Sequence, residues 1–190
     1  PGIRQGYQGA LEQLAASHGV EVVTRGPAGT GPCDAEAALL QTDASSFIGD
    51  KSLQGEVFGP STMLVECSSM KQMFQVARSL EGQLTATVQG TTEELQQCTP
   101  LLDLLEDRVG RILFNGMPTG VEVGEAMHHG GPWPATTDSR WTSVGAASIQ
   151  RFVRPVCWQG FPDSLLPADL RSTVQGRRRV DGVWQDPGTR

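Results

Sequence analysis

An α/β architecture built on a parallel sheet is expected of this chain of 190 residues. Between Thr62 and Asn115, short apolar runs alternate with stretches of helical periodicity in the order strand, helix, strand, helix, strand. Short turns between such elements imply right-handed crossovers and parallel strands. The strand runs are apolar on both faces, as strands covered by helices are. Composition agrees: 38% of residues are hydrophobic and 19% charged, with no apolar run near membrane-spanning length.

From Ile3 the apolar residues fall at Tyr7, Ala10, Leu11, Leu14 and Ala15, one face of a helix that Gly19 can end in the left-handed conformation. Val20 to Thr24 reads as a strand, and Arg25 to Cys33, dense in Gly and Pro, as a loop. Ala35 to Thr42 suits a helix by composition and a strand by context, and strand is favoured. Thr62 to Cys67 is a buried strand. Ser68 or Ser69 then caps a helix with Met70, Met73, Phe74, Ala77 and Leu80 on one face, ended by Gly82. Leu84 to Gln89 is the next strand. Thr92 caps a helix with Glu93 and Glu94 in its first turn, where the helix dipole favours negative charge. Pro100 kinks or restarts that helix, which continues through Leu105, and Arg111 to Phe114 is a strand. Gly116 to Thr142 is rich in Gly, Pro, Thr and His; loops of that length are usually functional. A short helix capped by Ser143 fits Val144 to Phe152, a last strand fits Arg154 to Gln159, and an extended arm follows.

A net charge of −6 argues against nucleic acid or an anionic membrane as partner. Arg177-Arg178-Arg179 reads as a solvated tail segment. Cys33, Cys67, Cys98 and Cys157 are far apart and form no CxxC pair, so neither a zinc site nor a disulfide framework is expected. Free thiols without a secretion signal fit a reducing cytoplasm. The chain opens on Pro1-Gly2 rather than Met, directly before a helical pattern, which reads as a cut within a longer chain.

The densest chemistry is Gly55-Glu56-Val57-Phe58-Gly59-Pro60. A loop carboxylate accepts hydrogen bonds from vicinal hydroxyls, which is how proteins often grip a ribose. Phe58 offers an apolar face for a nicotinamide ring, and the glycines allow close backbone approach. Taken alone, the run reads equally as a solvated acid beside an ordinary core phenylalanine. Gly82-Gln83-Leu84-Thr85-Ala86 and Gly110-Arg111-Ile112-Leu113-Phe114-Asn115 follow it in order. With these motifs the chain resembles the aldehyde dehydrogenase superfamily over about Gly2 to Leu170. Most of that superfamily continues with a Pro-Phe-Gly-Gly-x-Lys-x-Ser-Gly loop, from which this chain departs. Its own series, Asn115-Gly116-Met117-Pro118 through His129-Gly130-Gly131-Pro132-Trp133-Pro134 to Arg151-Phe152-Val153-Arg154-Pro155, is similar to the α-ketoglutaric semialdehyde (2,5-dioxovalerate) dehydrogenases.

The resemblance implies a three-layer, parallel-sheet fragment of the aldehyde dehydrogenase catalytic domain, its C-terminal part, over residues 1–159, and an extended C-terminal arm over 160–190. It implies NAD- or NADP-dependent oxidation of an aldehyde, 2-oxoglutarate semialdehyde, to the acid. Glu56 and Phe58 would hold the nicotinamide end of the cofactor, and His129, Trp133 and Thr136 would line the aldehyde funnel. It also implies a homo-oligomer joined through the C-terminal segment. The family's nucleophilic cysteine and general-base glutamate lie in segments upstream of the Glu56 motif. Cys33 is the one cysteine ahead of that motif, but its neighbours, Gly31-Pro32 and Asp34-Ala35, differ from the family's Gly-Gln-x-Cys surroundings. The isolated chain is therefore expected to be inactive. A reading from another class is a non-catalytic assembly or regulatory module derived from the same fold.

Other residues have plainer readings. Adjacent side chains such as His128 and His129 point in different directions and rarely chelate one ion, so no metal is expected. Arg111 and Arg154 suit a substrate carboxylate in principle, but ion pairs with acids of this chain are favoured. Gly26 to Gly31 precedes no convincing helix and reads as a flexible loop rather than a phosphate cradle.

Overall fold

The computed structural model of the chain describes residues 2–173 and 176–186, so Pro1 and part of the expected arm lie outside the described residues. The chain divides into two compact units, Pro1–Arg151 and Phe152–Arg190.

In the first unit, helix α1 (Gly2–Ala15) covers a three-stranded sheet of order β1 (Val20–Arg25), β2 (Ala38–Asp43), β3 (Ser61–Glu66). The apolar stripe of α1 buries Tyr7 and Leu11 against Ala38 and Leu40, with Leu14, Val20, Val22 and Met63 packed around them. Leu40 is 1% exposed and marks the centre of this core. α1 stops at Ala15, and Gly19, expected to end it, instead adopts a φ of 78° in the turn that leads into β1, where its carbonyl accepts a 2.7 Å bond from the buried Thr42 hydroxyl. β1 runs antiparallel to β2, with a register shift between Val22 and Thr24, whereas β2 and β3 are parallel.

Two elements of this unit have no counterpart in the sequence reading. Helix α2 (Ala44–Gly49) and a 3-10 helix, Lys51–Gln54, lie between β2 and β3. Asp43 and Asp50 start them, their carboxylates accepting from Ser45 and Ser46 and from Ser52. Both carboxyls sit below the usual range, first because of the Ser46 and Ser52 side-chain bonds.

The second layer of the unit holds β4 (Gln83–Val88) parallel to β5 (Val109–Phe114), packed by α3 (Met70–Ser79), α4 (Thr92–Gln97) and α5 (Thr99–Glu106). Ala77, Leu101 and Leu105 form its core with Phe74, Ala86 and Val88. Ser69 caps α3, accepting from the Gln72 N–H at 3.3 Å. The next cap is Thr91 rather than Thr92. A reciprocal pair of bonds with Glu94 closes a capping box one residue earlier than the sequence suggests. Pro100 restarts the helix at the first turn of α5.

Three further differences separate this unit from the sequence reading. Gly82 does not end α3: the helix stops at Ser79 with Leu80 extended, and Gly82 instead lies where a Cβ would overlap the Pro132 carbonyl. β3 and β4 are not ladder neighbours, so the strand–helix–strand run spans two sheets. β3 also alternates in burial and leaves Leu64 exposed, because α1 covers the opposite face, where Met63 packs.

The second unit contains no strand over Arg154 to Gln159, where Pro155 lacks an N–H for a ladder. The arm carries two short 3-10 helices, Asp163–Leu165 and Ala168–Leu170. A hairpin joins β6 (Arg178–Val180) and β7 (Val183–Gln185) through Asp181 and Gly182, both at positive φ, as a type I′ turn requires. Arg177 lies over the Trp184 ring at 5.2 Å.

Candidate functional site

The loop from Gly55 to Pro60 connects the Lys51–Gln54 turn to β3, and within it Val57 alone is shielded from solvent. Val57 packs against the α1–β2 core. The residues on either side of it are left to solvent: Glu56 is exposed and Phe58 is 68% exposed. At the loop's entry, Leu53 is buried, the Gln54 amide donates to the Phe47 carbonyl, and Lys51 donates to the Ser79 carbonyl at 2.7 Å. At its exit, the Gly59 carbonyl accepts from Ser61 N and the Pro60 carbonyl from Ala38 N at 3.1 Å, the first rung of the β2–β3 pairing. Gly59 lies so close to the Tyr7 ring that a side chain there would overlap it. Glu56 and Phe58 border a cleft of about 1010 Å³ whose walls include Arg4, Tyr7, Cys33, Leu53 and Met63.

The long loop after β5 is organised by backbone crossings. A Cβ at Gly82, Gly110 or Gly131 would overlap, respectively, the Pro132, Gly130 or Gln83 carbonyl, so the loop lies directly on the ends of β4 and β5. Gly82 N donates to the Trp133 carbonyl at 3.2 Å. Asn115 starts the loop at a φ of 51°, its amide bonding both the N–H and the carbonyl of Gly90 at 2.9 and 2.7 Å. Arg111 donates to the carbonyls of Gly120 and Pro118 at 2.9 and 3.1 Å. The expected ion pair of Arg111 is thus replaced by loop carbonyls, because the strand points its guanidinium into the loop that follows.

Of the residues assigned to an aldehyde funnel, His129 and Thr136 line one cleft of about 380 Å³ with Leu84, Asp138 and Trp141. Trp133 is 74% exposed and is not part of that lining. The His129 N–H donates to the buried Thr142 hydroxyl at 2.8 Å, and the His129 carbonyl accepts from Ser143. Thr136 donates to the Gly131 carbonyl at 2.6 Å. The Arg140 guanidinium donates twice to Asp138 and holds that carboxyl down to about 2. The cleft beside Glu56 and the cleft beside His129 share no lining residue. Thr142 and Asn115, which hold the loop in place, entered the sequence reading only as motif and boundary residues with no role of their own; a Thr or Asn flanking a Gly-rich loop was the available signal.

Cys33 and Cys157 are exposed, and Cys67 and Cys98 are half-buried. Burial pushes the Cys67 thiol up, away from thiolate. Among the described residues, no three His, Cys, Asp or Glu side chains are grouped to hold a metal ion, and no helix is long and apolar enough to cross a membrane.

The fold is that of aldehyde dehydrogenases. It resembles a betaine aldehyde dehydrogenase from Staphylococcus aureus solved with NAD+, at a TM-score of 0.57 and 15% identity, over 85% of this chain and 32% of that one. It also resembles proline utilization A from Bdellovibrio bacteriovorus, at a TM-score of 0.65 and 20% identity, over 84% of this chain and 16% of that one. In sequence it is 44% identical over 172 residues to alpha-ketoglutaric semialdehyde dehydrogenase 2 of Azospirillum brasilense, across 90% of this chain and 33% of the relative. It is 42% identical over 185 residues to the alpha-ketoglutaric semialdehyde dehydrogenase of Acinetobacter baylyi, across 96% of this chain and 35% of the relative. The chain belongs to the aldehyde dehydrogenase superfamily and spans about a third of the length of the curated relatives it matches. No family model matches it.

Proposed function

We propose that this chain is the C-terminal part of a nicotinamide-dependent dehydrogenase that oxidises a 2-oxo acid bearing a terminal aldehyde, 2-oxoglutarate semialdehyde, to the dicarboxylate. The observation that carries the reading is the Glu56–Phe58 pair. Both side chains are exposed at the edge of a large cleft while Val57 between them is anchored in the core. A carboxylate and a phenyl ring presented this way fit a ribose diol and a nicotinamide face, of either NAD or NADP. The nicotinamide, when bound, accepts the hydride that leaves the substrate. This chain's part is to hold and orient. Glu56 accepts the ribose hydroxyls, Phe58 backs the ring, and Gly59 keeps the backbone close. His129, Trp133 and Thr136 border the approach of the aldehyde, on the loop whose departure from the superfamily pattern supports a 2-oxo substrate. The nucleophilic cysteine and general base are supplied outside these residues, in keeping with the burial that disfavours thiolate at Cys67. The working enzyme is a cytoplasmic homo-oligomer.

The test is Glu56→Gln in the full-length enzyme. Loss of a charged acceptor for two hydroxyls costs about 1.5–3 kcal/mol of cofactor binding, roughly ten- to hundredfold in Kd. An unchanged cofactor Kd sinks the assignment. The isolated chain should show no turnover of 2-oxo semialdehyde; measurable turnover would place the nucleophile within it.

A further inference from the structure

We propose that Tyr7 is a positioning residue: its ring fixes the loop that carries Glu56 and Phe58. The inference rests on the cofactor reading of those two residues. Tyr7 comes from α1, far from the loop in sequence, and is 3% exposed. Its hydroxyl donates to the Glu36 carbonyl at 2.7 Å, just ahead of β2, so the ring is held at both ends: by the helix backbone and by that bond. Gly59 lies flat on the ring, with Cγ, Cδ2 and Cε2 occupying the space a Cβ would need. Val57 packs against the same cluster, and the Pro60 carbonyl is bonded to Ala38 N. Val57, Gly59 and Pro60 are thus fixed from the inside, and the side chains left to meet a ligand are Glu56 and Phe58. Tyr7 also lines the cleft they border. Shortening the ring removes the surface that sets the height of Gly59, and Phe58 is attached to Gly59 directly.

The experiment uses the full-length enzyme with Tyr7→Phe, Tyr7→Leu, Gly59→Ala and the Gly59→Ala/Tyr7→Leu double variant. Cofactor KM, aldehyde KM, kcat and Tm are measured for each. Tyr7→Phe keeps the ring and should leave cofactor KM within about twofold, whereas Tyr7→Leu and Gly59→Ala should each raise it by about fivefold or more. Aldehyde KM should stay within about twofold in all of them, which a general loss of structure would not spare. The double variant should be better than the product of the single effects, because leucine makes room for the alanine methyl. A Tyr7→Leu enzyme with lowered Tm and unchanged cofactor KM overturns the proposal and leaves Tyr7 a packing residue. Should Tyr7→Leu fail to fold, Gly59→Ala decides, since an unchanged cofactor KM there is equally fatal. Glu56→Gln separates the two levels. If it leaves cofactor KM unchanged, the cofactor reading itself fails; if it raises KM while Tyr7→Leu does not, the role of Tyr7 alone fails.

Discussion

Replacing Asn115 tests how the loop after β5 is started. Asn115 sits at a φ of 51°, and its amide clamps Gly90 through two bonds, one to the N–H and one to the carbonyl. Asn115→Gly keeps the backbone conformation and loses both bonds. A net intramolecular hydrogen bond contributes about 0.5–1.5 kcal/mol, and these two are solvent-exposed, so the low end applies and the loss is about 1 kcal/mol. Asn115→Ala loses the same bonds and also holds a Cβ in the left-handed region, which adds about 1 kcal/mol or slightly more. The expected order is wild type, then Gly lower by about 1 kcal/mol, then Ala lower by about 2 kcal/mol. Urea unfolding followed by circular dichroism resolves these steps at constant m. If alanine costs no more than glycine, the backbone at Asn115 is not constrained as described. If neither costs anything, the Gly90 clamp contributes nothing to the fold.

Two further outcomes concern the same loop. Asp138 has a folded pKa of about 2, below its ordinary 3.8, so its contribution to stability is complete above about pH 4 and is lost as pH falls toward 2. Arg140→Ala should return the carboxyl toward 3.8 in a carbon-13 NMR titration, and an unmoved titration would dismiss the Arg140 contact as the cause. Gly110→Ala places a methyl against the Gly130 carbonyl and should destabilise the unit by about 1–3 kcal/mol. It should also speed hydrogen exchange at Gly82 N, whose acceptor is on the displaced loop. Unchanged exchange would show that the loop does not bear on β5 there.

The regular elements were largely legible because their signals are local. The α1 stripe, the Ser69 cap, the Pro100 restart and Gly19 in its left-handed turn each follow from a few neighbouring residues. The Thr91–Glu94 box was misplaced by one residue because Thr92 is an equally good cap until the reach of Glu94 is known. Asp43 and Asp50 announced α2 and the following turn, but such short helices carry too little apolar periodicity to register. The Asp181-Gly182 hairpin had a strong turn signal, obscured by the arginines read as tail. Strand pairing is non-local, so nothing within β1 declared it antiparallel and nothing within α3 declared that β3 and β4 lie in separate sheets. At the site, the Glu56 motif was readable as a string, but its dependence on Tyr7 was not, because the two are joined only by folding. Arg111 likewise looked like an ion-pair partner until the loop carbonyls came into view.

Glycine at residues 82, 110 and 131 makes the long loop rest on the strand ends backbone against backbone, with no side chain as spacer. At those three points the distance between loop and strand is therefore set by main chain and not by side-chain bulk. An exposed side chain such as Trp133 can be exchanged like a tile on a fixed floor, altering the surface without lifting the chain beneath. Redesign of this loop's surface should vary the tiles and leave the glycines alone.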